Sequence, residues 1–365
     1  MKFFNKYFLP GLVFQSVVIG GGYATGRELV EFFLPAGPVG GLLGMLVAAI
    51  IWSITMALCF EVARISKSYD YRRFFKQLLG PGWVLFEIAF FALIILILSV
   101  IGSASGNLVA EQLGVSQLWG IVGLMLAIGL LVFHGSAIIE KFLAGWSFVL
   151  YLGYFVFVIW CFCEFGEKIV SNFQNQQMND SNTGWLLGGV RYAGYNLATI
   201  PAVLFCIRHI NTRKEAITAG ILAGPLAMIP AVLFFVVMIG FYPGIGEQPV
   251  PIHFILTQLD AVIFPIIFQI ILFGTFIETG TAMIHSINER VAHFLQEKNR
   301  IYPDWIRSAT AVGILIIAIF LASNIGLIGL IAAGYGTLTW VFIALIIVPL
   351  ITVGLWKIIK LDKAS

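Results

Sequence analysis

The chain has 365 residues, of which 60% are hydrophobic and 11% are charged, and its formal net charge is +3 at pH 7. Because soluble domains contain about 25% charged residues, this composition excludes a soluble protein and predicts an integral membrane protein. The four cysteines lie in or beside apolar segments, where we expect small core residues rather than a disulfide framework.

Ten apolar segments follow one another along the chain, each suited to the helix of about 20 residues that spans a membrane. Their approximate ranges are 9–34, 39–65, 83–108, 117–139, 146–168, 185–208, 217–241, 261–285, 308–323 and 326–357. Asn324 and Gly326 suggest a turn between the last two segments, and Gly334-Tyr335-Gly336 could kink the final helix.

The positions of Lys and Arg predict the orientation, because these residues are enriched in cytoplasmic loops of membrane proteins. If the N-terminus is cytoplasmic and the segments alternate, 18 of the 21 basic residues fall on the cytoplasmic side. Lys168 lies outside, and Arg27 and Arg191 lie within segments. This distribution predicts ten spans with the N-terminus and the C-terminus in the cytoplasm.

The first segment contains an unusual stretch, Gly20-Gly21-Gly22-Tyr23-Ala24-Thr25-Gly26-Arg27-Glu28. Each glycine costs a helix roughly 1 kcal/mol relative to Ala, and a charge near the middle of a span costs about 2.5–3.5 kcal/mol. Broken backbone at membrane depth occurs only where protein covers it or where it lines a cavity. We therefore predict two half-helices, the second starting at Thr25 with a Thr-x-x-Glu capping box, and free polar groups that face a binding site.

The sixth segment contains a second such stretch, from Gly188 to Pro201, whose centre near Asn196 is poor in helix formers. Pro201 is tolerated in the first turn of a helix that restarts at Asn196 or Thr199. Interrupted spans one and six divide the chain into five plus five, and an odd number of spans per half predicts an inverted repeat. We predict one transmembrane domain over residues 1–365, with repeat one at about 1–175 and repeat two at about 176–357.

Five plus five inverted spans with interrupted first and sixth helices resemble the LeuT-like fold of the amino acid–polyamine–organocation superfamily. The run from Gly20 to Glu31 also resembles the bacterial YkvI-type membrane proteins, a group described as amino acid permeases. The resemblance implies an all-α polytopic protein of the bacterial cytoplasmic membrane. It implies a secondary active transporter that moves a small amino-acid-like or zwitterionic organic solute by alternating access, driven by a sodium or proton gradient. The alternative is a membrane ion-binding sensor, or a carrier of inorganic ions or other small solutes with the same fold.

The resemblance places the solute at the opened backbone of helices one and six. Carried over by position, the substrate-binding residues are Gly20, Gly21, Gly22, Tyr23, Ala24, Thr25, Tyr192, Gly194, Tyr195 and Asn196. Free N–H groups of the second half-helix suit a carboxylate, whereas free carbonyls near Gly20 suit an ammonium group or a metal cation. Ser99 and Ser103 share a face of span three with Gly102 and Gly106, and this face either lines the site or packs tightly.

Span eight carries the candidates for ion coupling, Glu278, Thr279 and Thr281. In sodium-coupled members of the fold, helix eight supplies hydroxyl groups to a cation site against helix one, so sodium at Gly20, Thr279 and Thr281 is one possibility. Glu278 departs from that pattern and favours a proton, because an acid within a membrane span is a functional candidate by default. A purely structural Glu278 remains an alternative.

Arg27 and Glu28 are candidates for a gate. One interpretation is an Arg27–Glu31 pair at the outer mouth, since residues four apart on a helix face each other, with Glu28 used in the capping box. The other makes Arg27 an extracellular gate or an anion contact.

No enzyme is expected, since the sequence has no His-Glu-x-x-His motif and no Cys/His cluster. No cofactor is expected beyond Na⁺ or H⁺ as coupling ion. The expected partners are a small-molecule solute and the lipid bilayer, with no nucleic acid. The sequence leaves the substrate and the oligomeric state open.

Overall fold

The computed structural model describes residues 2–133, 136–175, 184–297 and 303–362, and within these ranges it is built of helices and connections without a β-strand. The α-helices are α1 (Lys2–Tyr7), α2 (Leu9–Val18), α3 (Gly21–Ala24), α4 (Arg27–Phe32), α5 (Gly37–Ser66), α6 (Tyr71–Leu79), α7 (Trp83–Leu113), α8 (Gln117–Phe133), α9 (Ser136–Asn175), α10 (Gly184–Asn196), α11 (Arg213–Ile239), α12 (Pro251–Gln258), α13 (Ile263–Glu297), α14 (Asp304–Gly329), α15 (Gly336–Phe342) and α16 (Leu355–Asp362). Short 3-10 helices cover Leu34–Ala36, Gly80–Gly82, Leu197–Ala202, Leu204–His209 and Gly244–Glu247, and π-helical segments cover Leu330–Tyr335, Ile343–Ile347 and Leu350–Gly354.

Helices occupy the positions of all ten predicted spans. Six stretches are long and apolar enough to cross a membrane, and they are Leu34–Ser66, Tyr71–Leu113, Phe148–Asn175, Arg213–Ile239, Ile263–Ala292 and Trp305–Lys360. The first and fourth spans are based on shorter apolar helices, α2 and α8, and the sixth span changes helix type at its centre. Within the last stretch, Gly326 has a φ of 77° and makes the predicted turn between spans nine and ten.

Some boundaries differ from the predicted ones. α9 begins at Ser136 rather than near residue 146, and α13 continues to Glu297 rather than ending near residue 285. Both helices extend past their apolar runs, because polar residues outside the bilayer can continue a helix whose backbone is already hydrogen-bonded. The predicted end of repeat one, near residue 175, adjoins residues 176–183, which lie outside the described ranges. The two repeat ranges stay predictions.

The first span is broken as predicted, but at two points rather than one, and no helical piece starts at Thr25. Gly20 has an extended backbone between α2 and α3, with φ −87° and ψ −175°, and Gly26 has a φ of 81° between α3 and α4. The predicted capping box is wrong, because α4 has Gly26 at its N-cap without a side-chain cap. The Thr25 hydroxyl donates to the Gly22 carbonyl at 2.7 Å, and the Glu28 side chain turns away to accept a hydrogen bond from Tyr195.

The sixth span changes from an α-helix to tighter 3-10 turns directly after Asn196. The Asn196 side-chain amide donates to the Tyr192 carbonyl at 2.9 Å, and the Thr199 hydroxyl donates to the Asn196 carbonyl at 2.7 Å. Pro201 lies inside the 3-10 segment and has no N–H to donate to a helix. The predicted interruption is therefore confirmed as a change of helix type rather than as a gap.

α5 and α11 pack closely and support the broken spans. A Cβ at Gly220 or Gly224 of α11 would overlap the backbone of α5 at Ala57 and Ala49, so only glycine fits at these two positions. Small residues of this kind let transmembrane helices approach closely enough for van der Waals contact between their backbones.

Both chain ends lie on one side of the bundle. Lys6 of α1 pairs with Glu215 at the start of α11 at 2.6 Å, and Arg64 at the end of α5 donates to the Asn211 carbonyl just before α11. Lys357 of α16 donates to the backbone of α6, which follows α5. We call this side the terminal side. At about 1.5 Å per residue, α11 is long enough to cross to the opposite side, which carries residues 240–262 and which we call the loop side.

Candidate functional site

A small cavity of about 40 Å³ lies at the break in the first span. It is bounded by helix one, the junction of α10 with its 3-10 segment, α7, α13 and the π-helical segment of the last span. Its lining residues are Val17, Val18, Gly20, Gly22, Glu28, Leu93, Ile97, Tyr195, Asn196, Thr199, Thr279, Met283 and Tyr335. We call it the central cavity.

Two larger cavities, of about 350 and 490 Å³, adjoin the central cavity. Val17 and Met283 line all three, so these two side chains stand where the cavities meet. The cavity of about 490 Å³ extends towards the terminal side, where Asp70, Tyr71 and Arg290 form part of its wall. We call the two larger cavities together the terminal vestibule. The central cavity is thus approached from the terminal side.

Residues 244–252 cover the loop side of the break. Arg27, which is 5% exposed, donates through Nη1 to the Gly246 carbonyl at 2.8 Å and the Gln248 carbonyl at 3.0 Å. Its Nη2 lies 3.4 Å from Glu31, so the predicted Arg27–Glu31 pair is confirmed. The Ile252 N–H donates to the Thr25 carbonyl at 3.1 Å. Arg27 therefore links the second half-helix to the covering loop, and its role as a gate stays a prediction.

α12 is also attached to the rest of the loop side. His253 Nε2 lies 3.4 Å from Glu111 at the end of α7, and His253 Nδ1 lies 3.0 Å from the Gln269 amide of α13. Burial lowers the pKa of His253, while the Glu111 carboxylate acts in the opposite direction. A neutral His253 can accept from the amide through one ring nitrogen and donate to Glu111 through the other, so it joins three elements over the closed side.

Glu28 faces the central cavity. It is 4% exposed, and one carboxylate oxygen accepts a hydrogen bond from the Tyr195 hydroxyl. The Tyr195 ring stacks on Tyr335 with centroids 4.5 Å apart, which fixes the direction of the hydroxyl. A Cβ at Gly22 would overlap the other carboxylate oxygen of Glu28. The break in helix one, helix six and the last span therefore hold this acid in place together.

The sequence predicted Glu28 at a gate, but not its position in the cavity. The sequence alone shows that Glu28 is an acid within a membrane span, where acidic residues are rare. The direction of its side chain depends on Tyr195, which is 167 residues away, and no local pattern contains that information.

The predicted substrate residues divide into two groups. Gly20, Gly22, Tyr195 and Asn196 line the central cavity. The others are buried around it and not among its lining residues, and they are Tyr23, Ala24, Thr25, Tyr192 and Gly194. The surroundings of Gly21 lie outside the part of the chain that the structure describes.

Several members of the second group have other contacts. The Ala24 carbonyl accepts a hydrogen bond from Tyr154 at 2.6 Å, and a Cβ at Gly194 would come within 2.8 Å of Thr339. The hydroxyls of Tyr23 and Tyr192 are buried and have no hydrogen-bond partner in the part of the chain that the structure describes. These two hydroxyls remain available to a bound group or to water.

The small-residue face of span three packs against α8. A Cβ at Gly102 would come within 2.7 Å of Met125, and one at Gly106 within 2.9 Å of the Gln117 carbonyl. The Ser99 hydroxyl donates to the Ile95 carbonyl of its own helix, and the Ser103 hydroxyl is buried. Neither serine is among the residues that line the central cavity, so their proposed substrate contacts stay predictions without geometric support.

The structure brings Thr279 to the break in helix one. Thr279 lines both the central cavity and the vestibule together with Gly20, and its methyl group would lie 3.7 Å from a Cβ at Gly20. Thr281 is two residues further along α13 and therefore about 200° around the helix. It is buried elsewhere and lines none of these three cavities. The structure thus brings Gly20 and Thr279 together and places Thr281 apart from them, and the sodium site at these three residues stays a prediction.

Glu278 is partly exposed and lines the vestibule near Tyr151, rather than the central cavity.

The chain is similar to known membrane proteins in sequence and in fold. The chain is 26% identical over 339 residues to YkvI of Bacillus subtilis (strain 168), described as an uncharacterised membrane protein, and the match covers 92% of each chain. The solved structure of MhsT in complex with L-phenylalanine superposes with a TM-score of 0.56 at 17% identity, covering 92% of this chain and 88% of MhsT. A mutant manganese transporter of Eremococcus coleocola superposes with a TM-score of 0.52 at 16% identity, covering 93% of this chain and 77% of the transporter.

No protein-family model matches the chain. The two solved neighbours are LeuT-like, and their likeness extends over nearly the whole chain. The predicted resemblance to YkvI-type membrane proteins is confirmed. The chain is thus an all-α polytopic membrane protein with the LeuT-like fold of ten spans in a five-plus-five inverted repeat, interrupted in helices one and six.

Proposed function

We propose that this protein is a secondary active transporter that moves a small amino-acid-like or zwitterionic solute by alternating access. The observation that carries the proposal is the asymmetry around the break in helix one. The central cavity adjoins a wide vestibule on the terminal side, while Arg27 and residues 244–252 cover it on the loop side. A site that is reachable from one side and covered on the other is the arrangement that alternating access requires.

The chemistry of the central cavity supports a zwitterion as solute. Besides the broken backbone at Gly20 and Gly22, its polar lining residues are Glu28, Tyr195, Asn196, Thr199, Thr279 and Tyr335. The Glu28 carboxylate suits an ammonium group, while the hydroxyl and amide groups of the lining residues can donate hydrogen bonds to a carboxylate. The solved structure of MhsT is a complex with L-phenylalanine, which is an amino acid and therefore a zwitterion.

The central cavity must expand to accept such a solute. Because a water molecule takes up about 30 Å³ in the liquid, the volume of about 40 Å³ is too small for an amino acid. Met283 and Val17 border both the cavity and the vestibule. The unbranched Met283 side chain can move aside by rotation, whereas the β-branched Val17 is stiff and has to shift together with its helix. We propose that a solute enters from the vestibule by displacing these side chains.

We place the protein in the bacterial cytoplasmic membrane, with the terminal side in the cytoplasm. The distribution of Lys and Arg supports this orientation. The structure then corresponds to a state that is open towards the cytoplasm. The coupling ion is proposed to be sodium near Gly20 and Thr279, or a proton.

The proposal is tested by counterflow. Purified protein in liposomes is loaded with an excess of one unlabelled amino acid, amine or betaine, and accumulation of the same labelled solute is followed. We expect saturable, transient accumulation for at least one zwitterion. Absence of counterflow with every solute would contradict a carrier and would favour the alternative, an ion-binding sensor or a carrier of inorganic ions.

The coupling role of Glu278 is tested in the same liposomes with imposed sodium and proton gradients. If Glu278 carries the coupling ion, Glu278→Gln abolishes gradient-driven uptake and spares exchange of solute for solute. Unchanged gradient-driven uptake in this variant would remove Glu278 from the coupling role.

A further inference from the structure

Glu28 is a buried acid without a basic partner. It is 4% exposed, and among the residues that the structure describes it forms no ion pair with Lys, Arg or His. Arg27, its neighbour in sequence, directs its guanidinium to Glu31 and to two carbonyls of the covering loop. Within the described ranges, the Glu28 carboxylate accepts its side-chain hydrogen bond from the Tyr195 hydroxyl.

The surroundings of Glu28 add no positive charge from any packed element. The titratable and charged groups that face it or lie next to it are Tyr23 and Arg27 of helix one, Tyr192 and Tyr195 of α10, Tyr335 of the last span, and Glu278 on α13 beside the vestibule. α7 contributes only Leu93 and Ile97 to the cavity wall. Apart from Arg27, which is engaged elsewhere, these groups are phenols and acids.

An ionised carboxylate in such a place is costly. Burial of an unpaired charge is strongly unfavourable even after the protein relaxes, and a single hydroxyl donor offsets only part of that cost. The position in the first turn of α4 offsets a little more, since the N-terminal end of a helix favours negative charge. A positive occupant is therefore required whenever Glu28 is enclosed, either a proton on the carboxylate or a cation beside it.

We propose that Glu28 is an exchange site at which a proton and the ammonium group of the solute compete. When the central cavity is empty, Glu28 is a neutral carboxylic acid. When a solute enters, its ammonium group pairs with the carboxylate at the place next to Gly22, and the proton leaves to water in the vestibule. The step balances, because the acid and an alkylammonium ion become a carboxylate–alkylammonium pair and one free proton.

This inference deepens the proposed function and depends on it for the identity of the solute. It names the proton as the coupling ion, and it places that proton on Glu28 rather than on Glu278, which the vestibule can solvate. It also determines the direction of coupling. Because the site holds either the proton or the solute, the two cross the membrane in opposite directions. In the pH range where Glu28 is protonated, the apparent solute affinity then falls about tenfold for each unit of acidification.

The test follows the carboxylic acid C=O stretch of Glu28 by infrared difference spectroscopy on protein in liposomes, between about pH 5 and pH 9. Glu28→Gln identifies the band, because the amide can still accept from Tyr195 but cannot hold the proton. Glu31→Gln is the matched control, since Glu31 lies one turn away on the same half-helix and its side chain is 27% exposed. We expect the buried acid band in the unmodified protein and in Glu31→Gln, and its absence in Glu28→Gln.

The probes are methylammonium, glycine and L-leucine, with acetate and 4-methylpentanoate as matched compounds that lack the amine. At least one amine-bearing probe is expected to remove the Glu28 band and to release about one proton per molecule bound, while the acids leave the band unchanged. A Glu28 that is ionised across the whole pH range would overturn the proposal. So would failure of all three amine-bearing probes to displace the proton.

These outcomes are separable from those of the transport assay. Counterflow in the unmodified protein with the same pH dependence in Glu28→Gln would overturn the exchange at Glu28 and leave the transporter intact. A displaceable proton at Glu28 without counterflow for any solute would overturn transport and leave the exchange site.

Discussion

Gly22 must be a glycine because Glu28 occupies the place that a side chain would take. A Cβ at this position would overlap Oε1 of Glu28 and lie 3.2 Å from Val100. The glycine therefore does more than weaken the helix. It leaves room for a buried carboxylate beside the open backbone.

We predict that Gly22→Ala weakens solute binding while the protein remains folded. The methyl group would displace the Glu28 carboxylate from its Tyr195 donor, which costs about 1–3 kcal/mol of binding free energy, or roughly tenfold to a hundredfold in Kd. Binding is measured by isothermal titration with the solute identified by counterflow. Gly123→Ala is the matched control, since a Cβ there meets nothing within 4 Å. Unchanged affinity in Gly22→Ala would move the site away from this stretch.

Gly26 has a different requirement. Its φ of 81° lies in the left-handed region, and a Cβ would also come within 2.8 Å of Phe234. Gly114, at the end of α7, has a similar φ of 65° but open space around it.

We expect Gly114→Ala to lower the free energy of unfolding by about 1–2 kcal/mol through backbone strain. Gly26→Ala should lower it further, because contact with Phe234 and Pro251 adds overpacking of about 1–3 kcal/mol. Denaturant unfolding of both variants measures the difference. Equal losses would show that Gly26 is needed for its backbone conformation and not for its packing.

Among the elements, the loop segment 244–258 is held over the second half-helix by few hydrogen bonds. Arg27 supplies two of them through one nitrogen, and the Ile252 N–H supplies another. A guanidinium can serve two carbonyls and Glu31 together, whereas the ammonium of lysine is a smaller, strongly hydrated charge.

Arg27→Lys is therefore expected to loosen this segment by about 1–3 kcal/mol. This loss of local stability appears as faster amide hydrogen exchange in residues 244–258. Glu31→Gln removes the ion pair but leaves both carbonyl bonds, so it should change exchange by less, about 0–1 kcal/mol. If both variants exchange alike, Arg27 does not hold the loop in place.

Most of the elements could be predicted from local properties. Runs of apolar residues predict the ten spans, and clusters of glycine predict the break near Gly20 and the turn at Gly326. The start of α4 could not be predicted by the Thr25–Glu28 spacing, because Glu28 has a stronger tertiary partner in Tyr195. The predicted sodium site includes both Thr279 and Thr281. Residues two apart on a helix lie about 200° apart around its axis, so their spacing alone does not bring both hydroxyls to one ion.

In the whole molecule, the vestibule connects the central cavity with the terminal side, while residues 244–252 cover the loop side. This asymmetry depends on where α12, α13 and the two halves of helix one lie relative to each other. No sequence pattern specifies it, because an alternating-access protein has the same sequence in every state.

We predict that a cysteine at position 199 reacts with a membrane-impermeant thiol reagent from the terminal side. Thr199 lines both the central cavity and the vestibule. The exposed Cys163 is first replaced by serine, whereas Cys59, Cys161 and Cys206 are buried. Ser103→Cys is the control, because Ser103 is 1% exposed and should not react from either side. Reaction of Thr199→Cys from the loop side alone would contradict the described opening.

We propose that a small zwitterion binds at the break in helix one. The most direct measurement is the thermal stability of the purified protein with a panel of amino acids, amines and betaines, in sodium and in potassium buffer, each at two pH values. A ligand that binds only the folded state, at 100 times its Kd, adds about 2.7 kcal/mol to stability. We predict that at least one zwitterion raises Tm, that the increase is larger at the higher pH, and that Gly22→Ala makes the increase smaller at the same ligand concentration. Absence of any increase with every zwitterion, or an equal increase in Gly22→Ala, would contradict the account.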